Sequence, residues 1–192
     1  MVTRLHWIRR QQAVFTAQAR EPAREMVSGE SHYFMGRRLR LRVERTEGRT
    51  HVSLHGRSAL VLHVPRHRDA DYRLRVLHRW YRAQIRDLLA KLVDKWAARL
   101  KVSPTGWRIQ RMKTKWGSCN SKNGRLLFNL ELAKKPLECI EYIVVHELAH
   151  LIERRHDERF RRVLDRHLPR WEAARRLLNA GPLADERWGG CR

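Results

Sequence analysis

The stretch Glu138-Cys139-Ile140-Glu141-Tyr142-Ile143-Val144-Val145-His146-Glu147-Leu148-Ala149-His150-Leu151-Ile152 reads as one helix, apolar around most of its circumference. Such a helix is buried on more than one side, yet it carries His, Glu and His in its middle. At about 100° per residue, His146 and His150 lie on one face, one turn apart, with Glu147 beside them. Burying polar groups without partners costs roughly 2–7 kcal/mol each. A bound Zn²⁺ removes that cost for both imidazoles and gives the carboxylate a task.

His146-Glu147-Leu148-Ala149-His150 is the pattern HExxH. In that pattern two imidazoles ligate Zn²⁺ and the Glu acts as general base toward the metal-bound water, whose pKa falls to about 7. Catalytic zinc needs a third protein ligand and an open position. His156 is the first candidate, because His146, His150 and His156 have the HExxH-x5-H spacing of metzincins. On a continuous helix His156 would sit about 15 Å along the axis from His146, too far to share an ion. The chain is therefore expected to turn between Ile152 and His156. Metzincins place Gly in that turn, and the corresponding residue here is Glu153, a less favourable choice. Glu172, Asp165 and Glu158 are the rival third ligands.

Upstream, Leu39, Leu41 and Val43 alternate with arginines, Val52 and Leu54 alternate again, and Ala59–Val64 is nearly continuously apolar. These three runs predict an antiparallel three-stranded meander. Asp69 and Asp71 offer N-caps for a helix reaching about Leu100. Its predicted core stripe is Leu74, Leu77, Tyr81, Ile85, Leu88, Leu92, Trp96 and Leu100; its cationic face, including Arg73, Arg82 and Lys95, reads as solvated. Trp107, Ile109 and Arg111 alternate with Arg108, Gln110 and Met112, predicting a further strand. Asn123-Gly124 is a hairpin signal, and residues 126–130 follow as its second strand. Pro136 suits the start of the histidine helix. Phe160, Val163 and Leu164 mark a short helix. A last helix from Pro169 turns Trp171, Ala174, Leu177 and Leu178 inward and stops at Gly181-Pro182. Residues 8–19 have the weak pattern of a helix end.

At 192 residues and 42% apolar content the chain suits one domain with at most a small appendage. No apolar run approaches the roughly 18–20 residues that span a bilayer, and the first 20 residues lack a signal-peptide core. Cys119, Cys139 and Cys191 form no CxxC pair, which excludes a zinc ribbon and a thioredoxin-type site. Reduced thiols in a cytoplasmic protein with no membrane partner are expected. The net charge of +22, from 42 Lys and Arg against 20 Asp and Glu, favours polyanions: nucleic acid, nucleotides or an acidic partner.

HELAHLIERRH, preceded by Trp116-Gly117-Ser118-Cys119 and the Leu-Phe-Asn-Leu strand, resembles the YgjP-like metallopeptidase family. Val27-Ser28-Gly29-Glu30-Ser31-His32 and Leu168-Pro169-Arg170-Trp171 look like family segments as well. The resemblance implies an α+β, zincin-like fold. Its parts are an antiparallel or mixed sheet, an active-site HExxH helix beneath it, C-terminal helices, and an edge strand that receives extended substrate. It implies His146, His150 and His156 as zinc ligands, Glu147 as the catalytic residue, and a polypeptide substrate. On this basis residues 27–180 form the metallopeptidase domain, between an N-terminal segment 1–26 and a tail 181–192. Family members commonly carry a further strand-rich N-terminal segment, so either an incomplete first sheet or an internal start site is expected. The family is similar in turn to SprT-like and Spartan-type proteases, which act on DNA–protein crosslinks.

The backbone of residues 126–130 is the expected site of strand addition by a peptide. Trp116 and Cys119 read as structural, with an inhibitory zinc ligand as the other role open to the cysteine. Two further functions fit the charge beside a metal site: a metal-dependent nucleotide phosphohydrolase, and a nucleic-acid-binding protein with a structural metal.

Overall fold

The computed structural model describes residues 25–180; the expected helix end at 8–19 and the residues from 181 onward lie outside the described residues. The first sheet contains β1 (Ser31–Phe34), β2 (Arg37–Arg45), β3 (His51–His55) and β4 (Ala59–Val64), in the order β1-β2-β4-β3. This corrects the expected meander. β4 is buried at five of its six positions and takes an interior place, pairing parallel with β2 and antiparallel with β3. β3, half-exposed along its length, is left at the edge. The apolar content of a strand decides its place in the sheet, and sequence adjacency does not.

β1 and β2 are joined by Met35-Gly36, both in the left-handed region at φ 48° and 75°, as a two-residue hairpin turn demands. The turn docks on the approach to the histidine helix: Met35 N–H donates to the Ala133 carbonyl (2.9 Å) and Gly36 N–H to that of Lys134 (3.1 Å). A Cβ at Gly36 would stand 2.8 Å from Pro136 Cγ, so the close approach requires glycine.

Helix α1 (Ala70–Leu100) starts at Asp69, whose carboxylate accepts from Tyr72 N–H, and ends at Lys101 in the left-handed conformation. Its buried stripe is Val76, Leu77, Tyr81, Ile85, Leu89, Leu92, Val93, Trp96 and Leu100. Val76, Leu89 and Val93 replace Leu74 and Leu88 of the predicted stripe, because sheet and helices both cover α1. Three residues of the cationic face are fasteners and not merely solvated: Arg73 donates to the Met26 carbonyl (2.8 Å), Arg82 to that of Ile109 (2.6 Å) and Lys95 to Glu141 (2.7 Å). With Tyr81 Oη donating to the Tyr33 carbonyl (2.7 Å), α1 ties the first sheet to everything that follows.

The second sheet contains β5 (Gly106–Gln110), β6 (Gly117–Asn120) and β7 (Arg125–Asn129), in the order β5-β7-β6. β6 and β7 form the expected hairpin around Asn123-Gly124, and β5 joins β7 in parallel. β7 is therefore central, with Leu126 and Phe128 fully buried, and both its edges are taken. The expectation that residues 126–130 accept a peptide strand is corrected: among the described residues, the sheet edge next to the histidine helix is β6. A 3-10 turn (Leu130–Lys134) leads to α2 (Leu137–Ala149), followed by α3 (Glu158–His167) and α4 (Trp171–Asn179). The architecture is α+β with mixed sheets, as expected.

Candidate metal centre

α2 carries His146 and Glu147 in its last turn, and His150 caps its C-terminal end. Cys139, Ile140, Val144, Val145, Leu148 and Ala149 are fully buried, which fixes the helix on several sides and leaves one face for His146 and His150. The helix stops at Ala149. Leu151 N–H bonds to the Leu148 carbonyl and Ile152 N–H to that of Ala149, both at 3.0 Å, tightening the last turn to three-residue closures. No residue from 150 to 157 has a positive φ, so the reversal needs no glycine, and Glu153 carries no strain there. Asp157 then caps α3 by accepting from Arg159 and Phe160 N–H, which holds the loop in place.

This path returns His156 to the helix: its Nε2 lies 3.0 Å from Nε2 of His146. One ligand atom from each of His146, His150 and His156 lies within 4.8 Å of the others. Among the described residues this is the group of His, Cys, Asp and Glu side chains that could hold one metal ion. The rivals are elsewhere: Asp165 accepts from Trp171 Nε1 (2.7 Å), Glu172 is exposed beside Arg176, and Glu158 opens α3. Cys119 is also outside the group, and burial followed by the Glu147 carboxylate raises its thiol to about 11.

Several contacts shape the group that the motif alone does not announce. Phe160 lies 4.7 to 4.9 Å from all three imidazole centroids and floors the site with a ring. Nδ1 of His150 stands 3.2 Å from the Glu153 carbonyl. An Nδ1–H donated there fixes the tautomer that offers Nε2. Tyr142, one turn before His146, places its hydroxyl 3.5 Å from His146 Nδ1 and stacks on Trp171 of α4. The i, i+4 spacing of Tyr142 and His146 was the available signal for that contact.

Burial, then His150, His156 and Arg175, lowers His146 to about 3, and burial first of all lowers His150 and His156, so the imidazoles are neutral near pH 7. Burial raises Glu147 to about 8 against the opposing charge of Lys115, favouring the neutral acid in the metal-free protein. A group with a raised carboxyl pKa destabilises the fold as pH climbs from 4.5 to 8, because the unfolded chain ionises first. His146 acts oppositely, destabilising as pH falls from 6.5 to 3. Between pH 6.5 and 8 the Glu147 carboxyl by itself is expected to cost the metal-free protein on the order of 2 kcal/mol, set against an opposite drift from His78, His146, His150 and His156, which the unfolded chain still partly protonates there. Thermal melts against pH test this: the loss disappears in Glu147→Gln, and an equal loss in that variant would contradict it.

The profile of the YgjP-like metallopeptidase domain matches residues 2–181. The chain belongs to the YgjP-like metallopeptidase family. Two solved structures are similar to it. The metallopeptidase zymogen abylysin of Pyrococcus abyssi is 21% identical, with a TM-score of 0.45 over 50% of this chain and 99% of its own. The zymogen jannalysin of Methanocaldococcus jannaschii is 22% identical, with a TM-score of 0.41 over 45% and 89%. No match is found among curated proteins. As a YgjP-like metallopeptidase the protein is a metal-dependent peptidase acting on polypeptides. Among the described residues no helix is long and apolar enough to cross a membrane.

Proposed function

We propose that His146, His150 and His156 hold Zn²⁺ through Nε2 and that Glu147 is the general base for hydrolysis of an extended polypeptide. The observation that carries this reading is the return of His156 to within 3.0 Å of His146, Nε2 to Nε2. The donor set fits the ion. Ligands at about 2.0–2.1 Å in a tetrahedron stand roughly 3.3 Å apart, and three neutral imidazoles are a known catalytic zinc set. Bound zinc supplies a Lewis acid that activates water and polarises a carbonyl.

The chain's own residues supply the rest. A cation in the histidine group draws the neighbouring Glu147 toward its carboxylate form, against the burial that raises it. Glu147 then accepts a proton from the attacking water and returns it to the departing amine. Tyr142 and the Glu153 carbonyl steady the imidazoles from behind. Just before β6, the Trp116 carbonyl accepts from Asn129 N–H at the end of β7, making Trp116 and Asn129 a hydrogen-bonded pair. Antiparallel alternation then turns the backbone groups of Gly117 and Cys119 away from β7. A substrate strand added there lies beside Glu147.

The purified protein should contain about one zinc per chain and cleave unfolded polypeptide. A chelator should stop cleavage and added zinc restore it. Full activity in metal-free protein would sink the reading. Phosphate release from a nucleoside triphosphate, lost in His150→Ala, would favour the phosphohydrolase instead.

A further inference from the structure

β6 approaches the proposed base more closely than any side chain permits. A Cβ built on Gly117 would stand 2.5 Å from Oε1 of Glu147, 2.7 Å from its Cγ and 2.8 Å from its Cδ. Folded proteins do not keep carbon atoms at such distances. Gly117 does not have a positive φ, so its backbone conformation does not ask for glycine. What the position requires is space, and the Glu147 side chain fills that space.

Neither wall of the gap can retreat easily. On the same helix as Glu147, Val144 and Leu148 are fully buried in the core, which holds the helix backbone in place, and Glu147 is itself buried. In front, Asn129, also fully buried, clamps the segment that leads into β6. Its Nδ2 donates to the carbonyls of Met112 (2.8 Å) and Lys115 (2.7 Å). Its Oδ1 accepts from the N–H groups of Met112 and Glu131, both at 3.2 Å. Every hydrogen-bonding site of that amide is used, so shifting the segment breaks a satisfied buried network.

We propose that Gly117 is a positioning residue: its missing side chain is the slot that holds the Glu147 carboxyl beside the three histidines. The catalytic consequence rests on Glu147 being the base; the slot itself does not. A methyl group at 117 displaces the carboxyl and leaves His146, His150 and His156 untouched. Misplacing a catalytic group by about 1 Å costs up to ~100-fold in rate.

Four proteins test it: wild type, Gly117→Ala, Glu147→Ala and the double variant. Melted without metal, Gly117→Ala should lower Tm in the wild-type background. In the Glu147→Ala background it should cost nothing, because the slot is empty. A Gly117→Ala protein too unstable to isolate, beside a folded double variant, supports the slot equally well. Equal Tm losses in both backgrounds, or failure of both variants to fold, overturn the proposal. Loaded with zinc, Gly117→Ala should retain its metal, lose about 10–100-fold in kcat and hold KM within about twofold. Unchanged kcat in Gly117→Ala, where Glu147→Gln is inactive, also overturns it. Activity surviving in Glu147→Gln would instead sink the base assignment, and leave the metal-free Tm coupling intact.

Discussion

Glu147→Gln is expected to lose peptidase activity by about 10²–10⁴-fold while still holding its zinc. The carboxamide matches the carboxyl in shape, so it fills the same slot against Gly117 and removes no packing. Glu147 is not in the histidine group, so the donor set is unchanged. Because burial already favours the uncharged form of Glu147, a permanently neutral side chain should not weaken the metal-free fold. What the amide cannot do is accept a proton. Metal analysis and a peptide digest on one preparation check both halves, and a metal-replete variant that cleaves at the wild-type rate contradicts the assignment.

His156→Ala has the second large effect. His156 is the one member of the group that is exposed and off the helix, so its loss removes little core packing. The metal-free variant should melt close to wild type. Its zinc affinity should fall by more than the ~10–100-fold that loss of an outer-shell partner costs, and its activity with it. His146→Ala is a poorer probe, since His146 is more buried than His156 and also packs against Tyr142. Retained zinc in His156→Ala, or zinc lost from Glu172→Ala, would return the third ligand to the rivals on α3 and α4.

How the sequence and the structure divide the explanation is clear at particular residues. His146, Glu147 and His150 are legible because helix periodicity turns sequence spacing directly into a shared face. The need for a turn before His156 is legible from the helix rise alone. How the turn is made is not: the metzincin comparison suggests glycine, whereas three-residue closures at Leu151 and Ile152 reverse the chain without a positive φ. The existence of most strands is readable from apolar alternation, β1 and the short polar β6 excepted, but strand neighbours are not. β4 and β7 each gain a partner remote in order, and β7 thereby loses the open edge assigned to it. Gly117, Asn129 and Phe160 have roles that exist only once β6, β7, α2 and α3 meet. No local pattern marks a glycine whose neighbour is a carboxylate 30 residues away.

The central claim is that His146, His150 and His156 share one zinc ion. Zinc K-edge X-ray absorption on the loaded enzyme and on His156→Ala tests it most directly. The expected wild-type spectrum has three imidazole nitrogens at about 2.0–2.1 Å and one further light atom, with an imidazole lost in the variant. Two imidazoles and a carboxylate in the wild type, or an unchanged spectrum from zinc-loaded His156→Ala, would contradict it.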